Sequence, residues 1–218
     1  MSMQKQKKRE TKQQLILAVA KKLFATNGYF GTTIDEIAHE ADIGKGTVYN
    51  YFHNKEQLFY TIFSQINQPF VADLKTLQTS NLDCEEKIRQ VILAFAHYYL
   101  TNQDILIIVI EEMKALSFMK KDALTSREML VKKTLCQLNK LKEEDYGRYL
   151  LEVQNTFDVL QAILQEALDK KFLRNYPSDY LACTLFSKLL LLTFMGFITD
   201  AQEMARCVTE NFLYGLKQ

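Results

Sequence analysis

The chain has 218 residues, of which 48% are hydrophobic and 24% charged, so it is long enough to bury a sizeable core in the manner of a globular protein. Its 27 Lys and Arg against 26 Asp and Glu give a net charge of +1, which excludes binding of polyanions through overall charge alone. Two prolines and seven glycines favour long helices, and four widely spaced cysteines without a Cys-x-x-Cys pair argue against a disulfide or zinc framework.

Three short helices are predicted within the first 55 residues. Apolar side chains recur at helical spacing over residues 9–27, and Gly28 can end that helix because glycine tolerates the left-handed conformation. Residues 33–36 read Thr-Ile-Asp-Glu, a capping box that opens a second helix. A turn at residues 42–44 precedes a third helix over residues 45–52. The inward positions are Leu15, Ile16, Val19, Ala20, Leu23, Phe24, Ile34, Ile37, Ala38, Ala41, Val48 and Phe52.

A fourth helix is predicted after residue 54, where Asn54 can cap it and Gln57 follows three residues later. The apolar pattern then stays helical, and the β-branched run at 105–110 is interpreted as a buried helix segment because no turn signal follows it. The sequence therefore predicts an all-α fold. The remaining helices are expected over residues 83–101, 103–117, 124–142, 145–171, 177–198 and 200–216.

Two short helices joined by a tight turn have the layout of a helix-turn-helix, in which the second helix enters the DNA major groove. The predicted helix at 45–52 begins with small or polar side chains, as a recognition helix requires. Lys45 can reach guanine acceptors or a phosphate, and Asn50 can pair with adenine N6 and N7. Gly46 lets the backbone approach the DNA, and Thr47 offers a hydroxyl for phosphate and a methyl for thymine.

Three further side chains have the chemistry of phosphate contacts. The hydroxyls of Tyr49 and Tyr51 suit phosphate oxygens. Lys55 lies in the first turn of the fourth helix, where a cation opposes the helix dipole, and this placement makes sense if Lys55 and the helix amides hold a phosphate together. Each residue alone is equally an ordinary exposed polar side chain, so the prediction rests on the ordered set.

A basic segment precedes the first helix. Residues 1–60 hold nine Lys and Arg against six Asp and Glu, and five of those basic residues fall within residues 5–12. Beside a helix-turn-helix, such an arm, with Lys5, Lys7, Lys8 and Arg9, is an electrostatic footprint for phosphate. The alternative is a solvated tail without a DNA role.

At these residues the sequence resembles the TetR (tetracycline-repressor) family of bacterial transcription regulators. The resemblance covers residues 9–60, and two positions depart from the family pattern: Asp42 stands where glycine is frequent, and Gly44 where a serine cap is frequent. Both replacements are compatible with the turn. The matching residues are Phe24, Gly28, Thr32, Thr33, Ile37, Ala38, Ala41, Gly46, Thr47, Tyr49, Phe52, Lys55, Glu56, Leu58 and Phe59.

The resemblance implies roles by position. Thr33, Tyr49, Tyr51 and Lys55 are expected to contact phosphates, and residues 45–47 with Asn50 to face the bases. It also implies two domains, a DNA-binding domain over residues 1–54 and a helical regulatory and dimerisation domain over residues 55–218, with the helix from residue 55 as connector.

The larger domain is expected to bind a small-molecule inducer and to pair with a second copy. Apolar stripes over residues 178–198 and 201–216 suit an isologous four-helix interface. Pockets of this kind are mostly apolar with a few placed polar groups. Candidate ligand-binding residues are Tyr98, Phe118, Asn155, Phe157, Asp158 and Phe194, and a place in the core or on the surface is the simpler explanation for any one of them.

The sequence therefore predicts a ligand-responsive, dimeric transcriptional regulator that binds a near-palindromic DNA operator. We expect it to act as a repressor. We expect a cytoplasmic protein without a cofactor and without a membrane segment, since the apolar run at 189–198 is too short to span a bilayer. One alternative is a helical interaction module with a degenerate helix-turn-helix. An enzyme is the other, but no nucleophile elbow, phosphate loop or metal-ligand spacing supports it.

Overall fold

A computed structural model describes residues 3–106 and 143–216 of the chain. The described residues form an all-α protein, as predicted, and the chain divides into two compact units. Of the described residues, one unit contains 3–65, 104–106 and 143–150, and the other contains 66–103 and 151–216. The described helices are α1 (Met3–Gly31), α2 (Ile34–Glu40), α3 (Lys45–Tyr51), α4 (Lys55–Thr79), α5 (Cys84–Thr101), α6 (Glu143–Asp169), α7 (Ser178–Met195) and α8 (Ala201–Leu216).

Helix α1 is longer than its apolar stripe predicts. It begins at Met3, so the basic arm is helical, and it ends at Gly31 after a break at Gly28, whose φ of 73° and ψ of 164° are not helical. Only glycine adopts such values readily, which explains the stop signal read from the sequence. In its apolar stripe Leu17 is buried instead of Leu15, which is 45% exposed.

The sequence signals at α2 and α3 are confirmed. The Thr33 hydroxyl accepts from the Glu36 backbone N–H at 3.2 Å, and the Glu36 carboxylate accepts from the Thr33 backbone N–H at 2.7 Å, which completes the capping box. Asp42 takes a left-handed φ of 51° in the turn. Gly44 then caps α3 without a side-chain hydrogen bond.

Helix α4 begins with the predicted cap and continues for 25 residues. The Asn54 carboxamide oxygen accepts from the Gln57 backbone N–H at 2.7 Å, and the Gln57 side chain accepts from the His53 backbone N–H at 2.8 Å. The helix runs through Pro69 and belongs with both compact units, which divide between residues 65 and 66. The domain boundary at residues 54 and 55 stays a prediction.

The second unit is built on α5, which packs against α7 and α8. Aromatic rings fill its interior: Phe70 stacks on Tyr98 with ring centroids 4.1 Å apart, and Phe95 meets Phe70 edge-on at 4.9 Å. Such pairs add to the free energy gained by burying apolar area. The aliphatic core around them comprises Leu74, Ile88, Val91, Ile92, Leu160, Ile163, Leu164, Leu181, Leu185, Leu189, Met204 and Val208.

The helix boundaries agree with the predictions to within a few residues for α5 to α8. Of the helices expected over residues 103–117 and 124–142, residues 103–106 are helical and the rest lies outside the described residues. By length and composition alone, α7 could cross a membrane, with a mean hydropathy of 1.3. Leu181, Leu185 and Leu189 on this helix are nevertheless buried inside the unit. A core helix of a globular domain accounts for that pattern without a bilayer.

An ion pair between a buried lysine and a half-buried glutamate joins α5 to α6 inside the second unit. The Lys87 ammonium donates to the Gln78 carbonyl at 3.0 Å and to the Glu166 carboxylate at 2.9 Å, although Lys87 is only 4% exposed. Lys170 donates to the other oxygen of Glu166 at 2.6 Å. These two lysines, Lys170 first and then Lys87, hold the pKa of Glu166 below its ordinary value.

Replacing Glu166 with glutamine is expected to lower the free energy of unfolding by about 1–3 kcal/mol at neutral pH, because the buried Lys87 ammonium loses its charged acceptor. Since the folded pKa of Glu166 is depressed, its contribution is present above the ordinary carboxyl pKa of about 4.3 and is lost as the pH falls through the folded pKa. Urea unfolding of both proteins from neutral to acidic pH measures this difference.

Glu210→Gln is the matched control, because Glu210 pairs with Arg206 on the surface of α8, where both side chains are about 60% exposed. A loss below about 0.5 kcal/mol is expected there. Equal losses for the two variants, or a difference that does not shrink on acidification, would contradict the role assigned to Glu166.

Candidate nucleic-acid interface

Helix α3 is buried on one side and polar on the other. Val48 and Phe52, with exposures of 0% and 1%, anchor the helix in the core of the first unit. Of the predicted contact residues in this region, Thr47 and Tyr51 are half-buried and the rest face solvent, namely Lys45, Gly46, Tyr49 and Asn50. The structure therefore brings the predicted base-reading residues together on one exposed helix.

The start of α3 can approach another molecule closely. Apart from its chain neighbours and its own helix, a Cβ built on Gly46 would have no heavy atom within 4 Å. The Gly44 carbonyl accepts from the Thr47 and Val48 backbone N–H groups at 2.7 and 3.3 Å, so the first turn is hydrogen-bonded without any side chain. Nothing bulky therefore stands in front of this backbone.

Lys45 is held by a carboxylate from the preceding helix. Its ammonium lies 2.7 Å from one Asp35 oxygen and 2.8 Å from the other, and its charge lies 6.0 Å from the centre of the Tyr49 ring. The hydrogen bond with Asp35 raises the pKa of Lys45 above its ordinary value. The side chains of this pair are 55% and 62% exposed, so both reach solvent on the same surface.

Thr33 is exposed, but its hydroxyl serves the capping box. It accepts from the Glu36 backbone N–H and also donates to the Glu36 carboxylate at 2.9 Å. A phosphate contact at Thr33 therefore has to share that hydroxyl or use the backbone at the start of α2, and it stays a prediction.

One residue of the basic arm, Arg9, lies close to the end of α3. The Arg9 guanidinium lies 5.8 Å from the centre of the Tyr51 ring, within the range of a cation–π contact. Lys7 and Lys8 are exposed beside it on α1. The arm is thus a helical basic surface, which the sequence pattern alone does not indicate.

Lys55 is placed differently from the expectation. Its ammonium donates to the Tyr29 carbonyl at 2.8 Å and to the Thr32 carbonyl at 2.9 Å, and it lies 4.4 Å from the centre of the Tyr29 ring. These carbonyls close the end of α1, where the helix dipole favours a cation. Lys55 therefore ties α4 to the junction of α1 and α2, and its phosphate contact stays a prediction that competes with these bonds.

Sequence reasoning missed Asp35 and Tyr29 as partners of the two lysines. Asp35 precedes Lys45 by ten residues and Tyr29 precedes Lys55 by 26, so no helical spacing links either pair. The weak signal available was the unfavourable position of Lys55 at the start of a helix, which indicated a missing anion or carbonyl partner.

Two of the ligand-binding candidates in the described part of the chain, Tyr98 and Asn155, lie beside the same residue, Asn67. Tyr98 is buried against Phe70, and its hydroxyl donates to Asn67 at 3.1 Å. Desolvation raises the pKa of Tyr98 well above its ordinary value. These contacts make Tyr98 a core residue with a satisfied hydroxyl.

The other described ligand-binding candidates lie in different surroundings on α6 and α7. Asn155 lines a cleft of about 360 Å³ with Asn67 and Glu152. Asp158 is exposed and accepts from Gln154 on its own helix at 2.6 Å. Phe157 and Phe194 are half-buried on α6 and α7, and Phe118 lies outside the described residues. Their role in ligand binding stays a prediction.

An all-α chain that exposes a polar helix after a capped helix and a left-handed turn is a helix-turn-helix protein. Residues 16–62 match the model of the bacterial regulatory proteins of the tetR family. This match covers the helix-turn-helix segment, and together with the relatives and solved structures described next it supports the resemblance to the TetR family predicted from the sequence.

The relatives agree with this assignment. Over 92 residues the chain is 34% identical to the uncharacterized HTH-type transcriptional regulator YhgD of Bacillus subtilis, a match that covers 42% of this chain and 48% of that one. The aligned region thus spans about half the length of this curated relative. The prediction that the chain is not an enzyme agrees with this relative, which is named as a transcriptional regulator.

Solved structures match over nearly the whole chain. The TetR-family regulator PfmR from Thermus thermophilus superposes with a TM-score of 0.72 at 22% identity, covering 93% of this chain and 96% of its own. AibR, solved in complex with isovaleryl coenzyme A and operator DNA, superposes with a TM-score of 0.68 at 18% identity, covering 93% and 98%. At these identities the likeness defines the fold.

Proposed function

We propose that the protein is a transcriptional regulator that binds operator DNA through α3. One observation carries this proposal: α3 exposes small and polar residues at its start, while buried Val48 and Phe52 fix it to the unit. A helix presented in this way fits the major groove, where base edges differ in their donor and acceptor patterns.

In this proposal the residues divide by task. Lys45, Gly46, Thr47 and Asn50 face the base edges, and Thr33, Tyr49 and Tyr51 contact phosphates. The Arg9 guanidinium lies close to Tyr51, which supports an added phosphate contact from the helical arm. Lys55 positions the unit through its two carbonyl partners, with a phosphate contact as the alternative.

The proposed active form is a homodimer. The end of α7 and the residues after it carry large apolar side chains that face solvent, with exposures of 61% at Leu191, 55% at Met195 and 72% at Phe197. Tyr214 on α8 is 92% exposed. An isologous contact through α7 and α8 would bury these side chains and place two copies of α3 on half-sites of a near-palindrome.

The proposed regulation is release of DNA by a small-molecule inducer, which makes the protein a repressor. AibR has been solved with isovaleryl coenzyme A and operator DNA, so a protein of this fold binds both kinds of partner. Moving a regulator from mostly DNA-competent to mostly incompetent requires about 5.5 kcal/mol of differential ligand affinity. A cytoplasmic location follows from the proposal, because bacterial operators lie in the cytoplasm.

Selection of bound duplexes from a random DNA library tests the proposal. We expect an enriched near-palindrome with half-sites about one helical turn apart or more, bound by a dimer in sedimentation, with an affinity that falls steeply as the salt concentration rises. A library that yields no enriched sequence would contradict the proposal and favour a helical interaction module. A monomer on the enriched duplex would contradict the dimeric form alone.

A further inference from the structure

The salt bridge between Asp35 and Lys45 joins the two helices of the helix-turn-helix at their starts. Asp35 lies in the first turn of α2, and Lys45 is the first residue of α3. The bond is short, at 2.7 Å, yet both side chains are more than half exposed. A carboxylate therefore stands on the surface that the proposed function turns toward a polyanion.

An acidic group at this place opposes indiscriminate binding. A free lysine is a flexible point charge that binds any phosphate, and phosphate contacts supply most of the affinity for unrelated DNA. The Asp35 carboxylate competes with phosphates for the Lys45 ammonium. The centre of the Tyr49 ring lies 6.0 Å from the same nitrogen.

The Lys45 ammonium can still donate a hydrogen bond to a base while it is bonded to Asp35. An ammonium has three N–H donors, so the contacts to the two Asp35 oxygens, at 2.7 and 2.8 Å, still leave one donor. Guanine offers two acceptors in the major groove, O6 and N7, within reach of one such group. A lysine fixed by a carboxylate on the neighbouring helix can therefore serve a guanine while it remains a poor phosphate anchor.

We propose that Asp35 is a specificity-determining residue that acts through Lys45. It holds the ammonium at the start of α3, so that Lys45 contributes to binding where a guanine is presented and contributes little on other sequences. This inference rests on the proposed function, because it concerns discrimination between an operator and unrelated DNA.

The test is Asp35→Asn, measured on the selected operator and on an unrelated duplex of equal length over a range of salt concentrations. The unrelated duplex is expected to bind about three- to tenfold tighter, because Lys45 becomes free to neutralise a phosphate. The ratio of the two affinities should fall about tenfold, and the salt slope on unrelated DNA should steepen by about one.

Glu40→Gln is the matched control. It removes the same charge from the same helix and breaks a surface pair with Lys22 of 3.1 Å, but it does not touch Lys45. We expect no change in the affinity ratio. A fall in the ratio equal to that of Asp35→Asn would assign the effect to net charge and overturn the inference.

The second arm places Asp35→Asn in a Lys45→Met background. If Asp35 acts through Lys45, the substitution should leave the affinity ratio of that background unchanged. A persisting effect would mean that Asp35 reads a base directly, as by accepting from cytosine N4, and would overturn the inference. A wild-type protein that binds both duplexes equally would reject the proposed function itself, whereas discrimination retained in Asp35→Asn would reject the role of Asp35 alone.

Discussion

Replacing Gly46 with glutamate is expected to weaken operator binding by at least about a hundredfold while leaving the fold intact. A carboxylate at the start of α3 would be pressed against bases and phosphates, and such like-charge contacts cost several kcal/mol, where about 1.4 kcal/mol is a factor of ten. The free protein has open space in front of Gly46, so the side chain meets no steric conflict there.

The free energy of unfolding is expected to stay equal or to rise by up to about 1 kcal/mol, because glutamate has a higher helix propensity than glycine. Gly46→Ala should show the same gain in stability with a smaller loss of affinity, since only a methyl group is added. Fluorescence anisotropy with the selected operator, together with urea unfolding, separates the two quantities.

Asn81→Glu provides the charge control. Asn81 is exposed in the loop between α4 and α5, and the 25 residues of α4 separate it from α3 along the chain, so the variant adds the same charge outside the proposed DNA contacts. It should bind the operator within about twofold of the wild type at physiological salt, where charges more than about 8 Å apart are largely screened. An operator affinity unaffected by Gly46→Glu would remove the start of α3 from the DNA interface.

Replacing Lys55 with methionine is expected to lower the free energy of unfolding by about 1.5–3 kcal/mol, the range for hydrogen bonds to a charged group. The methionine keeps most of the aliphatic stem but cannot donate to the Tyr29 and Thr32 carbonyls, which lie 2.8 and 2.9 Å from the ammonium. Operator affinity should fall together with stability, because α2 begins directly after Tyr29 and Thr32, whose carbonyls Lys55 binds. Chemical unfolding and anisotropy measure both effects.

The salt dependence of binding decides between the two roles of Lys55. If the ammonium stays on its carbonyls, the slope of log affinity against log salt is the same in Lys55→Met and wild type; a phosphate contact would reduce the slope by about 0.9. Lys22→Met is the control for stability, since Lys22 is 68% exposed in a surface pair and should cost less than about 1 kcal/mol.

The local structure of the first unit could be predicted from sequence because its signals are local. The capping box at Thr33 and Glu36 needs only a spacing of three residues, and the left-handed turn needs a residue such as Asp42 that tolerates positive φ. The start of α1 was missed because residues 3–8 carry no apolar period, although Lys and Gln are good helix formers.

The partners of the lysines could not be predicted, because they depend on how helices pack. Lys55 looked like a phosphate ligand from its place at a helix start, and the carbonyls that hold it belong to residues more than 20 positions earlier. Tyr98 looked like a pocket residue from its chemistry. Only the packing shows that Phe70 stacks on its ring and that Asn67 accepts a hydrogen bond from its hydroxyl.

Two of the described helices end with a carbonyl that accepts a hydrogen bond from the ammonium of a lysine later in the sequence. The last carbonyls of a helix lack partners within it. At the end of α1 these carbonyls receive Lys55, and at the end of α4 the Gln78 carbonyl receives the buried Lys87. Glycine or water closes many helix ends and lets them fray independently of the rest of the fold.

The ends of α1 and α4 can therefore fray only when the lysine of a later helix leaves their carbonyls. Opening of the last turn of α1 is therefore linked to the first turn of α4, and opening of the last turn of α4 to α5. Local opening of these segments should occur in concert within each unit, so that amide protons at the paired ends exchange with solvent through shared openings and not one turn at a time.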